Sequence, residues 1–430
     1  MGEQEIIELT QFEIDSILLI SSSKDAIDLK FIVQDFNIYS DIYSSVVSGE
    51  ITIKDANNIL TDYDLCGNEY LYINFNSIDS IKFEKYFRIY KISDVSPLNL
   101  NILKYKIHFC SEEFILNQQY RISKSYKGKY NHEIFLDIML NYLQVKTERI
   151  NFDNTVLAQN NLIIPNLKPF EAINMIASFS LNEKVNAPFL FFETQSGFNF
   201  KSLDSLIKQK NYNKITINPQ NVLNQNDKSS DNRISAYNYD QLFDILNTLS
   251  TGGYSSNMIK MNLIGQTREI VSFNSRLNEY KLNKYLPYNK AVNRSGYNIL
   301  ETPSAYTRYS VNFQQDFDER WLLQRANRLS MLNSLRLSLL IDGDSQMEAG
   351  MVIELDFPSM IKINTNEETE TDKYKSGRYL ITSVRHQIIN NKYTNYIEVC
   401  KDSVIGRYAT PETSETYETA SGIWNFVKTL

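Results

Sequence analysis

Hydrophobic and polar residues alternate along both ends of the chain, and this period of two predicts β-strands. Short alternating runs recur in EITIK at 50–54, EYLYINF at 69–75 and FRIYKI at 87–92. The chain also contains 28 tyrosines and 23 phenylalanines, and aromatic side chains favour strands because they pack well on a pleated surface. Both ends of the chain are therefore predicted to be mainly β.

The hydrophobic period changes to that of a helix between residues 131 and 183, in HEIFLDIMLNYLQ and KPFEAINMIASFSL. The apolar residues on one helix face are Phe135, Ile138, Met139 and Tyr142 in the first segment and Phe170, Ile173 and Ala177 in the second. Residues 186–206 follow with an apolar run, a Ser-Gly turn at 196–197 and an answering strand, which predicts a hairpin. A further helix is predicted at 317–333. The middle of the chain is thus expected to be α/β.

Two carboxylates flank a glycine at Asp342, Gly343 and Asp344, between two alternating runs. The apolar positions of these runs are Leu335, Leu337, Leu339 and Ile341 before the glycine, and Met351, Ile353, Leu355 and Phe357 after it. Asp and Gly tolerate left-handed backbone angles, so residues 342–350 are predicted to connect the strands of a hairpin. A calcium loop would need a longer series of carboxylates, which Asp344 and Glu348 do not supply.

The chain contains an internal repeat of three strands. The first strands are GNEYLYINF (67–75) and GMVIELDF (350–357), the second KYFRIYKI (85–92) and GRYLITSV (377–384), and the third KIHFCSE (106–112) and YIEVCKD (396–402). With Ile89 set against Ile381 and Ile92 against Val384, the two third strands end in Cys110 and Cys400. The loop after the first strand is longer and acidic in the second copy, at 361–377, as expected of duplicated units that diverge at a loop.

Length and charge bound the class of protein. At 430 residues about three domains are expected. The formal net charge is −7 and no long Lys/Arg run is present, so sequence-specific binding of nucleic acid is not expected. No apolar run approaches the roughly 18 residues of a membrane helix, and the start MGEQEIIELTQFEID is acidic where a signal peptide is basic. We therefore expect synthesis in a cytoplasm and no stable membrane insertion.

Motifs of catalysis and metal binding are missing from the sequence. The cysteines and histidines are scattered, at Cys66, Cys110, Cys400, His108, His132 and His386. None of these residues has the spacing of a zinc site or of a helical pair of metal ligands. No GxSxG, P-loop, GxGxxG or HExxH motif occurs, and 51 acidic residues single out no glycosidase pair. We expect no cofactor, no metal and no enzymatic activity.

Two segments carry a resemblance to a known family. The stretch KPFEAINMIASFSLNEKVNAPFLFFETQSGFNFKSLDSL (168–206) and the pattern SGRYLITSVRHQIINNKYTNYIEVCKDS (376–403) resemble the baseplate central hub protein of contractile-tailed, T-even-like bacteriophages. The similarity in pattern runs from about residue 30 to 405. Each segment is moderately specific, whereas their order and spacing along a chain of this length are more so.

The resemblance implies a fold and an assembly. In that family two related antiparallel β-barrel tube domains are separated by other domains, and three chains form a ring. Six similar barrels would give a pseudo-sixfold ring, which can stack on a sixfold tail tube or tube-initiator protein above while offering threefold symmetry to a cell-puncturing spike below. DNA would pass through the lumen without specific binding. Such a homotrimer would be a structural part of the virion, made in the host bacterial cytoplasm.

The expected domains follow from the repeat and the resemblance. They are a first β-barrel tube domain at 1–120, with residues 205–245 as candidates to complete it; an inserted α+β domain at 121–204; a second β-barrel tube domain at 250–405 with a flanking helix near 317–333; and a linker and docking tail at 406–430. Residues 205–300 match no part of the family pattern that can be placed. The first copy has no clear counterpart of the flanking helix.

The C-terminal tail changes in composition. Its Ser/Thr/Glu-rich part cannot build a core and is typical of a linker, yet it ends in an apolar group. The members of that group are Ile423, Trp424, Phe426 and Val427. Since Trp is over-represented at interface hot spots, we expect this group to contact a neighbouring subunit or another baseplate protein. The alternative is that the tail folds back on its own barrel.

Two other classes of function remain open. One is a tail-associated enzyme that degrades peptidoglycan, although no segment is left over for a catalytic domain. The other is the tail-tip or secretion-spike hub of a related injection machine, in which the spike is often fused to the hub chain. No β-helical repeat follows the hub-like region here, so a separate hub with a separate spike is favoured.

Overall fold

The structure is a computed structural model, and it describes residues 12–21, 26–63, 65–77, 82–156, 159–184, 188–217, 234–242, 244–262, 266–274, 280–286, 297–301, 317–358, 371–389 and 392–406. The strands are β1 (Phe12–Ile20), β2 (Ile27–Asp28), β3 (Val33–Asp41), β4 (Ser48–Asp55), β5 (Tyr70–Ser77), β6 (Phe83–Asn99), β7 (Ile102–Cys110), β8 (Ile122–Lys129), β9 (Ile150–Phe152), β10 (Gln159–Leu167), β11 (Phe189–Thr194), β12 (Gly197–Ser202), β13 (Lys214–Thr216), β14 (Ile234–Gln241), β15 (Ser255–Asn262), β16 (Thr267–Asn274), β17 (Tyr297–Glu301), β18 (Leu335–Asp342), β19 (Val352–Asp356), β20 (Gly377–Ile389) and β21 (Lys392–Lys401). The helices are α1 (Ile59–Asp62), α2 (Glu112–Gln119), α3 (Asn131–Asn141), α4 (Pro169–Phe179), α5 (Leu203–Lys208), α6 (Ile245–Ser250) and α7 (Phe317–Leu332), with a 3-10 turn at Thr147–Arg149.

One large sheet dominates the described part of the chain. Its main path runs β14-β18-β21-β20-β3-β4-β7-β6-β5-β1-β2, while β19 pairs with β20 and β13 pairs with β19. Neighbours are antiparallel except for β13 and β19. The mainly β fold class with an α/β middle part is confirmed.

The N-terminal unit is formed by β3-β4-β7-β6-β5, and β1 and β2 extend it beyond β5. Alternate residues of these strands point into one core, whose largest members include Phe36, Phe75, Phe87, Tyr105 and Phe109. The ring centroids of Phe36 on β3 and Phe75 on β5 are 5.8 Å apart. Four strand spacings of a flat sheet would separate these strands by about 19 Å. The sheet therefore curls until its two sides meet around the core.

The C-terminal unit repeats this arrangement in β14-β18-β21-β20-β19. Its core includes Leu337, Leu339, Ile353, Leu355, Tyr379, Ile381, Ile397 and Val399. Here Tyr237 on β14 meets Phe357 at the end of β19, with ring centroids 5.7 Å apart. This aromatic pair occupies the positions of Phe36 and Phe75 in the N-terminal unit, and it closes the second unit in the same way.

The two units agree in register as well as in strand order. The matching rungs are Arg88–Cys110 with Leu380–Cys400, Ile89–Phe109 with Ile381–Val399, and Ile92–Ile107 with Val384–Ile397. Each ladder is interrupted once between the second and third of these rungs, at Tyr90 and at Thr382. A loose resemblance between two meanders would not reproduce a bulge at the same position. The internal repeat predicted from the sequence is confirmed.

The long strand β20 belongs to both units. Its first part pairs with β19, and from Ser383 to Ile389 the same edge pairs with β3 of the N-terminal unit. We call this contact the internal joint. Because of the internal joint, the two units form one continuous sheet.

A separate α+β domain lies between the two units along the chain. Helices α3 and α4 pack on the sheets β8-β10 and β9-β12-β11, and the predicted helix-face residues Phe135, Ile138, Met139, Phe170, Ile173 and Ala177 are buried in its core. Helix α4 begins at Pro169, and the Glu171 carboxylate accepts a hydrogen bond from the backbone N–H of Lys168. The predicted hairpin is present as β11 and β12, but its turn consists of Gln195 and Ser196, one residue earlier than predicted.

Buried charges anchor this domain to the N-terminal unit. Lys85 of β6 donates to the Glu193 carboxylate of β11 at 2.6 Å, and both side chains are almost fully buried. The other oxygen of Glu193 accepts the backbone N–H of Val47 at 2.9 Å. Arg149 bridges Glu193 and Glu113, at 3.4 and 2.8 Å, and burial raises the pKa of Glu113. The carboxylates are thus neutralised by cations from two different domains.

The sequence left open that residues 205–245 complete the first barrel, but the described strands within this range do not join it. Strand β13 pairs with β19 and β14 pairs with β18, so both belong to the C-terminal unit. Strands β15, β16 and β17 form a small sheet of their own and do not join the second barrel. Helix α7 packs against both this sheet and α4. These pairings depend on contacts distant in sequence, which no local pattern records.

The Asp-Gly-Asp segment is a connection, but the hairpin predicted around it is wrong. Both edges of β18 are occupied, by β14 and β21, so β19 pairs with β20 instead. A side chain at Gly343 would collide with the Tyr393 ring, which explains the glycine. Asp344 accepts hydrogen bonds from the Tyr212 hydroxyl at 2.7 Å and from the Gln346 backbone N–H at 3.0 Å. Both carboxylate oxygens of Asp344 therefore have structural partners.

Candidate assembly surface

The described part of the chain shows no cluster of metal-ligating side chains. Within those ranges no three His, Cys, Asp or Glu residues lie together as a metal ion would require. His132 contacts the Thr155 hydroxyl, His108 contacts the Ser93 hydroxyl, and His386 is buried beside Tyr393. None of the described helices has the length and apolar character to cross a membrane. The continuous sheet, in contrast, has a specific arrangement of polar side chains and strand edges.

The predicted contact residues Ile423, Trp424, Phe426 and Val427 lie outside the described residues. The docking of the C-terminal tail therefore stays a prediction, and the surface described below is independent of it.

The continuous sheet has a polar face on the side opposite to both cores. It is formed by Asp35, Asn37, Tyr39, Asp41, Glu50, Thr52, Lys54, Lys91, Lys104, Lys106, His108, Arg336, Ser338, Arg385, Gln387 and Glu398, with Asp240 at its β14 edge. Glu50 accepts from the Tyr39 hydroxyl at 3.3 Å and pairs with Lys106 at 3.4 Å. Arg336 pairs with Glu398 at 3.5 Å. Polar contacts thus connect neighbouring strands across this face.

Charges of both signs are interspersed on the polar face. Cations slightly outnumber carboxylates among its members, but Lys106 and Arg336 each lie within ion-pair distance of a carboxylate. Partial burial lowers the pKa of His108, which disfavours the charged form of its imidazole. Burial raises the pKa of Tyr39, with Arg385 opposing and Glu50 reinforcing that shift. The face is therefore close to neutral and is not a Lys/Arg-lined surface.

The internal joint shows how two units of this kind bind each other. The amide oxygen of Asn37, which is 3% exposed, accepts hydrogen bonds from Arg385 Nε at 3.0 Å and Gln387 Nε2 at 3.1 Å. The Arg385 guanidinium lies 5.6 Å from the centre of the Tyr39 ring. On the core side His386 contacts the Tyr393 hydroxyl at 2.8 Å, and burial lowers the pKa of this histidine to about 4. The joint combines a backbone ladder with polar contacts on one face and apolar packing on the other.

Two long strands of the continuous sheet, β6 and β14, each have an edge without a neighbour among the described residues. β5 pairs with one edge of β6 as far as Arg88, and the backbone N–H of Ile89 donates a hydrogen bond to the backbone carbonyl of Glu69. Beyond that point β6 pairs only with β7, and Val95, Leu98 and Leu100 are exposed. β14 pairs with β18 along one edge only. Natural sheets rarely leave edges of this kind uncovered.

Neither these edges nor the internal joint were predicted from the sequence. A signal was present, because the alternation of β20 continues to Ile389, well past the end of β19 pairing. The strand β6 likewise runs to Asn99. Strands longer than their meander partners indicate a second partner, but the sequence alone does not identify it.

Comparison with solved structures reveals the same fold in proteins of phage tails. The tail protein of Neisseria meningitidis MC58 is similar with a TM-score of 0.56 at 9% identity, over 90% of this chain and 96% of that one. The 43 kDa tail protein of prophage MuSo2 from Shewanella oneidensis is similar with a TM-score of 0.56 at 10% identity, over 90% and 99% of the two chains. A chain of a PdpA–VgrG complex gives 0.50 at 9% identity, over 96% and 69%.

No family model matches the sequence, and no curated protein matches it. At 9–10% identity the structural likeness concerns the fold alone. The chain has the fold of phage tail proteins, as the resemblance to the hub family predicted. This fold and the duplicated sheet are the basis on which a function can be proposed for the chain.

Proposed function

We propose that the chain is the structural hub of a phage tail baseplate, in which three copies form a pseudo-sixfold ring. The observation that carries this proposal is the duplication: two units with the same strand order, register and bulge are joined edge to edge in one chain. Three such chains contribute six similar units. The ring would therefore present approximate sixfold symmetry to a tail tube and true threefold symmetry to a spike.

The polar face is the surface best suited to line the lumen of this ring. It lies on the side of the continuous sheet opposite to both cores, and its charges are mixed. DNA that touches many cations binds tightly and in a salt-dependent manner, whereas a nearly neutral wall does not retain it. The mixed charge of the polar face therefore supports a conduit and not a binding site.

The C-terminal tail is proposed to dock on a neighbouring subunit or on another baseplate protein. Its linker-like part is followed by the apolar group at 423–427. Such a group gains stability when a partner removes it from water. This contact would attach the hub to the rest of the baseplate, and with it the chain would be a component of the virion.

A secretion-spike hub is the second candidate, and the likeness to a chain of a PdpA–VgrG complex favours it. A phage baseplate hub and a secretion-spike hub would both form the ring. They differ in the tube protein that lies above the ring. Co-purification with a tail-tube protein or with a secretion-tube protein from the same genome separates them. Release of peptidoglycan fragments by the purified chain would instead support an enzyme.

The ring is tested by the mass of the purified chain in light scattering, with negative-stain images of the same fraction. We expect 150 kDa, three times the 50.0 kDa chain, and particles with a central hole. If the chain is monomeric, candidate spike protein is added and should produce rings. A chain that stays monomeric with every tail partner would contradict the proposal.

A further inference from the structure

The internal joint has a counterpart that the chain leaves open. β20 and β3 meet within one chain, and their equivalents in the other unit are β6 and β14. We propose that residues 91–96 of β6 in one copy pair antiparallel with β14 of a second copy, as β20 pairs with β3. This inference rests on the proposed ring and identifies the two edges that close it.

Burial at equivalent positions supports the pairing. In the internal joint Val384 and Ile388 are 1% and 5% exposed, because β3 lies beside them. Beyond Ile92, the matching part of β6 is exposed from Asp94 to its end, and Val95 is 52% exposed. On the other side Asn37 of β3 is buried, whereas its counterpart Asn238 of β14 is exposed. Within the ranges that the structure describes, both strands are thus uncovered where their counterparts cover each other.

The bulges of the two open strands compensate each other. Two residues of β6, Asp94 and Val95, lie opposite Tyr105 of β7. At the equivalent level of the C-terminal unit, β20 has the single residue His386. Asp94 has a positive φ of 56°, as a bulged residue often does. β14 likewise has one additional residue, Asp240. The residues on either side of Asp240 correspond to two residues of β3 that follow each other directly. The two insertions fall at the same level of the predicted contact.

This coincidence fixes a register for the contact between copies. Arg385 faces Tyr39 in the internal joint, so the equivalent Ser93 should face Gln241 of the second copy. Gln387 faces Asn37, so Ser96 should face Asn238. Two residues separate these rungs on each strand, and the ladder runs without interruption. An insertion on only one strand would have broken it. The ladder ends at Pro97, which has no backbone N–H to donate.

The pairing also determines the geometry of assembly. The edge that β6 offers differs from the edge that β14 offers, so each copy joins the next head to tail and the assembly must close as a ring or grow without end. Continuation of the internal joint around the ring would make every contact between units nearly equivalent. The partner of these edges is therefore a second copy of this chain.

Pairs of introduced cysteines test the register. In a Cys66→Ser background, two in-register variants are made, Ser93→Cys with Gln241→Cys and Ser96→Cys with Asn238→Cys. Two control variants exchange the partners, so that the same four substitutions are offset by three residues. That offset is about 10 Å along a strand, beyond the reach of a disulfide. All four full-length chains are oxidised with oxidised glutathione and analysed on non-reducing gels.

We expect the in-register variants to give covalent dimers and trimers, and the exchanged variants to remain single chains. The wild-type mass is measured alongside by light scattering. If the wild type is a trimer and the in-register cysteines do not cross-link, or the exchanged pairs cross-link equally well, the pairing is wrong and the ring stands. If the wild type is a monomer, the oxidation is repeated with candidate spike protein added. A chain that stays monomeric with every tail partner and gives no cross-link shows that the pairing is wrong, and the ring loses its support as well.

Discussion

Replacing Lys85 with Met should destabilise the attachment of the inserted domain, because Glu193 would remain buried without its closest cation. Glu193 is fully buried, and the Lys85 ammonium lies 2.6 Å from it. Breaking a buried ion pair on one side costs about 3–5 kcal/mol. Arg149 remains at 3.4 Å from Glu193 and Val47 still donates its N–H, so we expect the lower end, about 3 kcal/mol.

The control for this prediction is the double variant Lys85→Met with Glu193→Gln. Gln has no charge to leave unpaired, and its amide oxygen can still accept the N–H of Val47. The double variant should therefore be at least about 1 kcal/mol more stable than Lys85→Met alone, since replacing both members of a buried pair is far less costly than removing one. This difference measures the charge left without a partner.

Urea unfolding followed by tryptophan fluorescence measures both variants. Trp321 of α7 packs against Phe179 of the inserted domain, with ring centroids 6.4 Å apart, and it becomes the only tryptophan in a Trp424→Phe background. A loss of 3 kcal/mol lowers the urea midpoint by about 1–3 M at ordinary denaturant slopes. A loss under about 1 kcal/mol for Lys85→Met, or a double variant no more stable than the single, would refute the reasoning.

Three further predictions follow from the joint, the open edges and the tail. Burial lowers the pKa of His386 to about 4, so between about pH 6.5 and 4 the unfolded chain binds a proton that the folded chain does not. The free energy of unfolding should therefore fall by a few kcal/mol as the pH drops through this window. Thermal melts of His386→Gln should show a flatter pH dependence there, and an unchanged slope would contradict this. The proposed register places Asp94 opposite Asp240 of the next copy, so Asp94→Asn should tighten association by up to about fivefold per contact in sedimentation experiments, with no change expected if the register is wrong. Deleting residues 420–430 should weaken assembly and leave the melting temperature of the chain nearly unchanged; a large fall in melting temperature would mean that the tail folds onto its own barrel.

The elements of the fold could largely be predicted from the sequence, because they depend on local periodicity. Alternation located the strands of both units, and the match of Ile89 with Ile381 agrees with the observed register. The partners of the strands could not be predicted in the same way. Nothing near Asp342 indicates that both edges of β18 are occupied, and nothing in residues 205–245 indicates which unit they join.

The candidate surface was predicted less well than the fold. The apolar residues at 423–427 can be recognised in the sequence because they lie close together along the chain. The open edges of β6 and β14 can be identified only by comparison with their buried counterparts in the internal joint. An edge is a property of the sheet and not of a motif, so one sequence carries little sign of it.

Electron micrographs of the assembled protein, averaged without imposed symmetry, test the central claim most directly. Six similar units should give a dominant sixfold component in the rotational power spectrum at the radius of the continuous sheet. The inserted domain occurs once per chain and should give a threefold component at another radius. A ring without a sixfold component at the radius of the continuous sheet, or with a number of units other than six, would contradict the account.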